Sequence, residues 1–138
     1  MPAEIRLKVK KLVRLVTTAD KEQHKTQAVP VRDVVLSRKL SSFATQAFSS
    51  AGVSDYARLD MIMAQGTLYA IEINGLPMIP DKWFGACAQG VRMTEDQYLN
   101  AIFLSCILRK QAEGKNIQVP VEIRRLLPQQ VLTSLGCK

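Results

Sequence analysis

The clearest alternation of apolar and polar positions lies between Tyr56 and Asn74, YARLDMIMAQGTLYAIEIN. Two arms rich in Leu, Ile, Met and Tyr flank Gln65-Gly66, the sharp turn signal of the region, and predict two strands joined there. Side chains alternate faces along a strand. Arg58, Asp60, Ile62 and Ala64 therefore share one face of the first arm, and Leu68, Ala70, Glu72 and Asn74 one face of the second. A turn centred on Gln65-Gly66 puts Asp60 opposite Glu72 and Arg58 opposite Asn74. Leu59, Met61, Met63, Tyr69, Ile71 and Ile73 take the other face, which is expected to be core.

On either side of the hairpin the period changes. Leu36, Leu40, Phe43, Ala47 and Phe48 recur at three and four, predicting a helix over 34–51 with Gly52 as its C-cap glycine. A second helix is predicted over 94–112. Thr94 and Gln97 make a capping box, Glu95 and Asp96 suit its positive end, and Arg109 and Lys110 its negative end, before Gly114 stops it. Tyr98, Ala101, Ile102, Ser105 and Leu108 mark its apolar face, and Leu99, Phe103 and Ile107 widen it, which implies substantial burial. Residues 4–16, EIRLKVKKLVRLV, fit both periods; clean alternation at Ile5, Leu7 and Val9 favours a strand. Residues 17–33 are polar, contain Pro30 and read as loop. Residues 75–93 read as a loop with a short helical turn, where Trp83 and Phe84 either anchor the core or line a pocket. Ile117, Val119 and Val121 alternate like an edge strand, and a short helix is expected at 128–135 with Pro128 as its first residue.

The hairpin is where the pattern meets chemistry. Two carboxylates directly across a strand pair have Cβ atoms only ~4.5–5.5 Å apart and repel. A hard divalent cation relieves that repulsion, because Mg²⁺ takes one or two carboxylates and fills its shell with water and phosphate oxygens. Asn74 adds a neutral oxygen at the edge of the face, and Arg58 a fork of donors suited to phosphate or carboxylate. One reading of the face is a Mg²⁺–phosphate platform. The other is an exposed charged surface on which Arg58 simply pairs with one of the acids.

Composition narrows the alternatives. The 138 residues are 47% hydrophobic and 22% charged, enough for one domain with a core. No apolar run reaches the ~18 residues of a membrane span, and MPAEIRLKVKK lacks the apolar stretch of a secretory signal. Cys87, Cys106 and Cys137 have no metal-like spacing and read as reduced thiols of a cytoplasmic protein, with Cys106 in the core. The net charge of +7 suits a phosphate-rich ligand or nucleic acid. Arg6, Lys8, Lys10, Lys11 and Arg14 form the most basic segment, either a solvated face or a phosphate contact. Against nucleic acid stand the absence of a helix-turn-helix pattern, of an RNA-binding aromatic signature and of zinc spacing, and an aromatic content of only 6%. His24, alone in a polar loop, has no partner pattern for catalysis.

RLD at 58–60 followed by IEINGLP at 71–77 resembles the end of the ATP-grasp domain of D-alanine–D-alanine ligases, where an Arg-x-Asp strand precedes Glu-x-Asn and a loop containing Pro. The helix before the hairpin, the Gly90-Val91 step and the helix opening MTEDQYLNAIF extend the resemblance over residues 28–112. It implies an α+β fold, an antiparallel sheet with helices packed on one face. It also implies a partial ATP-grasp domain at 1–114 followed by a C-terminal extension at 115–138. The activity implied is ATP-dependent joining of a carboxylate and an amine through an acyl phosphate. Asp60, Glu72 and Asn74 would be ligands of Mg²⁺ or Mn²⁺, Asn74 also contacting the cofactor, and Arg58 would be the catalytic contact to the transferred phosphoryl group. The rest of such an ATP site, including its lid, lies upstream, so the chain is expected to be a fragment of the enzyme or a subunit that draws the lid from another chain. The alternative is a remnant ATP-grasp module that binds metal, nucleotide or a protein partner without turnover. Pro77 is followed by Met78 where the family continues Pro-Gly, and Trp83 falls near its substrate-binding serine, so the substrates stay undefined.

Overall fold

The computed structural model describes residues 2–7, 26–79 and 81–137. Its order is β1 (Ala3–Leu7), β2 (Thr26–Pro30), α1 (Val34–Ser50), β3 (Arg58–Ala64), β4 (Thr67–Asn74), α2 (Lys82–Gly90), α3 (Glu95–Ala112), α4 (Val121–Leu126) and α5 (Gln129–Ser134). The class is α+β, with the described strands in two separate two-stranded antiparallel sheets, β1–β2 and β3–β4, rather than one.

The first sheet corrects the loop expected over 17–33. Its last part, Thr26 to Pro30, pairs with β1 in a register running from Ala3↔Pro30 to Leu7↔Thr26. The polar composition hid a short strand whose proline lies at the strand's end, where the missing N–H costs little. The strand expected over 4–16 is present at Ala3–Leu7. Its remainder, with Lys8, Lys10, Lys11, Arg14 and also His24, lies outside the described residues.

Helix α1 begins where Asp33 Oδ1 accepts the Leu36 N–H at 2.9 Å. It ends where Gly52, at φ +68°, turns the chain so that the Val53 N–H reaches the Phe48 carbonyl at 2.9 Å. That left-handed turn is nearly free for glycine and costs about 1–2 kcal/mol for other residues. The helix lies beside β4, Lys39 Nζ donates to the Gly66 carbonyl, and none of its side chains is fully buried.

Residues 82–90 form a full helix, more than the short turn expected, because Asp81 caps it: its Oδ1 accepts the Phe84 N–H at 2.7 Å. α2 packs on the β1–β2 sheet, and its Phe84, Ala86 and Ala88 are buried, as is Val31 just after β2. Phe84, rather than its half-buried neighbour Trp83, is the anchor.

α3 carries the expected capping box between Thr94 and Gln97. Its one fully buried side chain is Leu104, which the apolar face drawn from the sequence left out, while Phe103 stays 53% exposed and Cys106 is half-buried. The reason is what covers the helix. Residues 121–126 form α4, not the end of an edge strand: Pro120 stands at the helix N-cap, where the lack of an N–H does no harm. α5 follows, with Pro128 as its N-cap rather than its first residue. Ile123, Leu127, Leu132 and Cys137 close over Leu104 and make the main apolar cluster.

Candidate functional site

β3 and β4 join through Gln65 (φ 49°) and Gly66 (φ 78°), a two-residue turn whose twist matches the strands. Such a turn alone pairs Ala64 with Thr67 and, counting back, Asp60 with Ile71. The observed register starts that way, through Met63↔Leu68, Ile62↔Tyr69 and Met61↔Ala70, and then shifts. Ile71 is left without a partner of its own, a β-bulge, after which Asp60 faces Glu72, Leu59 faces Ile73 and Arg58 faces Asn74. The expected opposition of the two acids is therefore present, and the bulge is its cause. The bulge also corrects the expected faces. Thr67 and Tyr69 share the side of Arg58 and Asp60, and Leu68 and Ala70 the side of Leu59 and Met61. Met63, Tyr69 and Ile71, expected in the core, are each more than half exposed.

On this face Arg58 lies along its own strand. Its Nε donates to Asp60 Oδ1 at 2.8 Å and its Nη2 to Asp60 Oδ2 at 3.2 Å. Its Nη1 stands 3.8 Å from Asp81 Oδ2. The hydrogen bond to Asp60, with the charges of Asp60, Asp81 and Glu72, holds the guanidinium above its ordinary pKa against the opposing effect of burial. Asn74 Oδ1 accepts the Leu76 N–H at 3.0 Å and fixes the start of the next loop. The Glu72 side chain makes no hydrogen bond or ion pair among the described residues.

The four residues singled out in the sequence thus share one face, but not equally. Arg58 and Asp60 are joined, Asn74 is committed to its loop, and Glu72 is open. Like charges directly opposite each other on a strand pair are destabilising, and Arg58 offsets this from the Asp60 side. An all-oxygen set of two carboxylates and an amide fits Mg²⁺ or Mn²⁺ by chemistry. Occupation of Asp60 asks Arg58 to yield. Among the described residues, no three His, Cys, Asp or Glu side chains converge as a metal-holding group.

Asp81 is the residue of this site that the sequence reading missed. Its signal was present: an Asp directly before an apolar helical run is an N-cap pattern, and the cap aims its second oxygen at Arg58. Behind it, Phe84 meets Tyr56 edge-on at 6.4 Å and Tyr98 at 5.0 Å. Burial pushes the Tyr98 phenol up to about 12 and raises Tyr56 and the Cys87 thiol as well, so all three stay protonated at neutral pH.

A second charge cluster lies away from this face. Arg109 Nε and Nη2 donate to Asp55 at 2.7 and 2.6 Å, its Nη1 pairs with Glu113, and Lys110 Nζ reaches Glu113 at 2.9 Å. The Arg109 hydrogen bonds lower the Asp55 pKa, and Lys110 leads in lowering that of Glu113. This cluster ties the segment before the hairpin to α3, and its groups satisfy one another. Two shallow grooves, of about 420 Å³ between α1 and the hairpin turn and about 290 Å³ between α3 and α5, contain none of Arg58, Asp60, Glu72 or Asn74.

The class that fold and face define is a small α+β protein with a polar, oxygen-rich hairpin face. Comparison of the chain with family models, curated proteins and solved structures gives no match.

Proposed function

We propose that this chain is the metal- and phosphate-facing part of an ATP-dependent carboxylate–amine ligase, of the ATP-grasp kind that its RLD and IEINGLP segments resemble. The observation that carries the reading is the bulged register, which sets Asp60 against Glu72 and Arg58 against Asn74 on one face. Asp60 and Glu72, with Asn74, would hold Mg²⁺ or Mn²⁺, and the bound ion supplies charge neutralisation at phosphoryl oxygens. Arg58 is the group for the transferred phosphoryl oxygens, its planar fork matching two of them at once. In such a reaction a carboxylate oxygen attacks the γ-phosphorus of ATP and ADP leaves. The amine then adds to the acyl carbon, loses a proton and expels phosphate. The adenine pocket and the lid of the ATP site fall to a preceding segment or a second chain, and the setting is cytoplasmic. Among the described residues no helix is long and apolar enough to cross a membrane.

A second reading is favoured by one specific observation. Both Asp60 oxygens already accept from Arg58, and Asn74 Oδ1 from the Leu76 N–H. A face satisfied in this way suits a module that binds metal, nucleotide or a protein partner without turnover.

Titration with Mn²⁺, followed by water-proton relaxation with and without ATP, tests the platform that the first reading requires. The expected result is saturable binding tightened by ATP and weakened about tenfold or more, ~1.4 kcal/mol, in both Asp60→Asn and Glu72→Gln. Binding that is absent in the native chain, or equal in the variants, overturns it.

A further inference from the structure

Arg58 stands between two carboxylates supplied by different elements. Asp60, two residues along β3, takes Nε and Nη2 at 2.8 and 3.2 Å, whereas Asp81, at the N-cap of α2, faces Nη1 at 3.8 Å. The second contact is beyond hydrogen-bond length but within ion-pair range. The asymmetry runs against burial: the Asp81 side chain is 13% exposed and that of Asp60 36%, so the more desolvated carboxylate has the longer contact. Buried charge gains most from a close partner. Asp81 is also divided in its duties. Oδ1 is committed to the Phe84 N–H at 2.7 Å, and it is Oδ2 that faces Arg58.

From this geometry we propose that Asp81 is a positioning residue that offers Arg58 a second seat. Arg58 rests on Asp60 as described, and moves onto Asp81 Oδ2 when the Asp60 oxygens are engaged by a cation. This rests on the platform reading for its purpose, though the two seats exist independently of it. Like-charge repulsion next to an occupied Asp60 displaces a guanidinium, and a displaced arginine on an exposed hairpin otherwise goes to solvent. Closing the 3.8 Å gap by about 1 Å makes a charge-assisted hydrogen bond. Arg58 then stays on the face beside Glu72 and Asn74, ordered and free of Asp60. Because Asp81 is fixed by the cap of α2, the second seat is already in place.

The test follows the Arg58 Nε–H resonance in ¹⁵N-labelled full-length chain, assigned by its loss in Arg58→Lys. In Asp60→Asn the resonance is expected to persist at a new frequency, with Arg58 seated on Asp81. In Asp60→Asn/Asp81→Asn it is expected to collapse to the frequency of a solvated arginine. Asn caps a helix as well as Asp does, so the Asp81 substitution removes the charge and keeps α2. Contacts between the Phe84 and Tyr98 rings report an intact fold, and Asp81→Ser, also a capping residue, must behave alike. Loss of the resonance in Asp60→Asn alone, or its survival in the double variant, overturns the second seat. Millimolar Mg²⁺ added to the native chain is expected to move the resonance to the Asp60→Asn frequency. If Mg²⁺ moves nothing while the variants behave as stated, the second seat stands and the metal platform falls.

Discussion

The β3–β4 hairpin and the corner built by α3, α4 and α5 draw on the same apolar residue types and use them differently. In the corner, Leu104 is fully covered and Ile123, Leu127, Leu132 and Cys137 close around it. In the hairpin, Ile62, Met63, Tyr69 and Ile71 are each more than half exposed, and what is defined is the backbone register and the polar face it sets up. Burial fixes the corner; hydrogen-bonded pairing and one bulge fix the hairpin. The lesson is that the proposed chemistry sits where side chains are cheap to change, on a scaffold whose stability is held elsewhere.

The largest effect that tests this division is in the corner. Leu104→Ala should lower the free energy of unfolding by about 2–5 kcal/mol, read from urea denaturation, against about 0.5 kcal/mol or less for Ile62→Ala on the hairpin. Equal losses at the two positions would erase the contrast. Next comes the turn. Gly66 has φ +78° with open space around its missing Cβ, so Gly66→Ala meets no clash and loses only through its backbone conformation, about 1–2 kcal/mol by the same denaturation assay.

Two pH effects sharpen the comparison at the contacts that tie the regions together. Tyr98 has its folded pKa raised from about 10 to about 12 by burial. Its contribution is present below about pH 10 and is lost as pH rises toward 12, because the unfolded phenol ionises first. Alkaline melts of the native chain should therefore fall through that window, and those of Tyr98→Phe should fall less. The smallest effect is at Asp55, whose folded pKa is lowered by the Arg109 hydrogen bonds. Its contribution is present above the unfolded value near ~3.9 and disappears as pH falls through the lowered folded value. Asp55→Asn should cost about 1 kcal/mol or less at pH 7, since partly exposed pairs are weak, and native and variant melting temperatures should converge in acid.

Local signals were legible in the sequence wherever a residue's role is set by its near neighbours. The Thr94–Gln97 capping box, Gly52 after α1, and the Gln65-Gly66 turn all formed as read. What was not legible depends on partners distant in the chain. β2 is a strand because β1 lies beside it, and its own residues, TQAVP, look like loop. Val121 begins a helix because Leu104 is there to be covered by Ile123, whereas alternation at Ile117, Val119 and Val121 suggested a strand. On the hairpin the opposition of Asp60 and Glu72 was read from a turn that could not produce it unaided. The bulge at Ile71, invisible to a count of alternating positions, restores the pairing and reassigns Tyr69, Leu68 and Ala70 to opposite faces. Asp81 carried a readable capping pattern, but its approach to Arg58 joins residues distant in the chain.

The polar hairpin face is, on the proposed function, built for a cation and a phosphoryl group. Glu72 gives the most direct access to that face, because its side chain makes no hydrogen bond or ion pair among the described residues and its loss should leave the fold intact. The measurement is thermal unfolding of the native chain and of Glu72→Gln, each with and without Mg²⁺ and ATP. Without ligand Glu72→Gln should melt no lower than the native chain; Mg²⁺-ATP should raise the melting temperature of the native chain and raise that of the variant clearly less. No rise in the native chain, or the same rise in both, would contradict it.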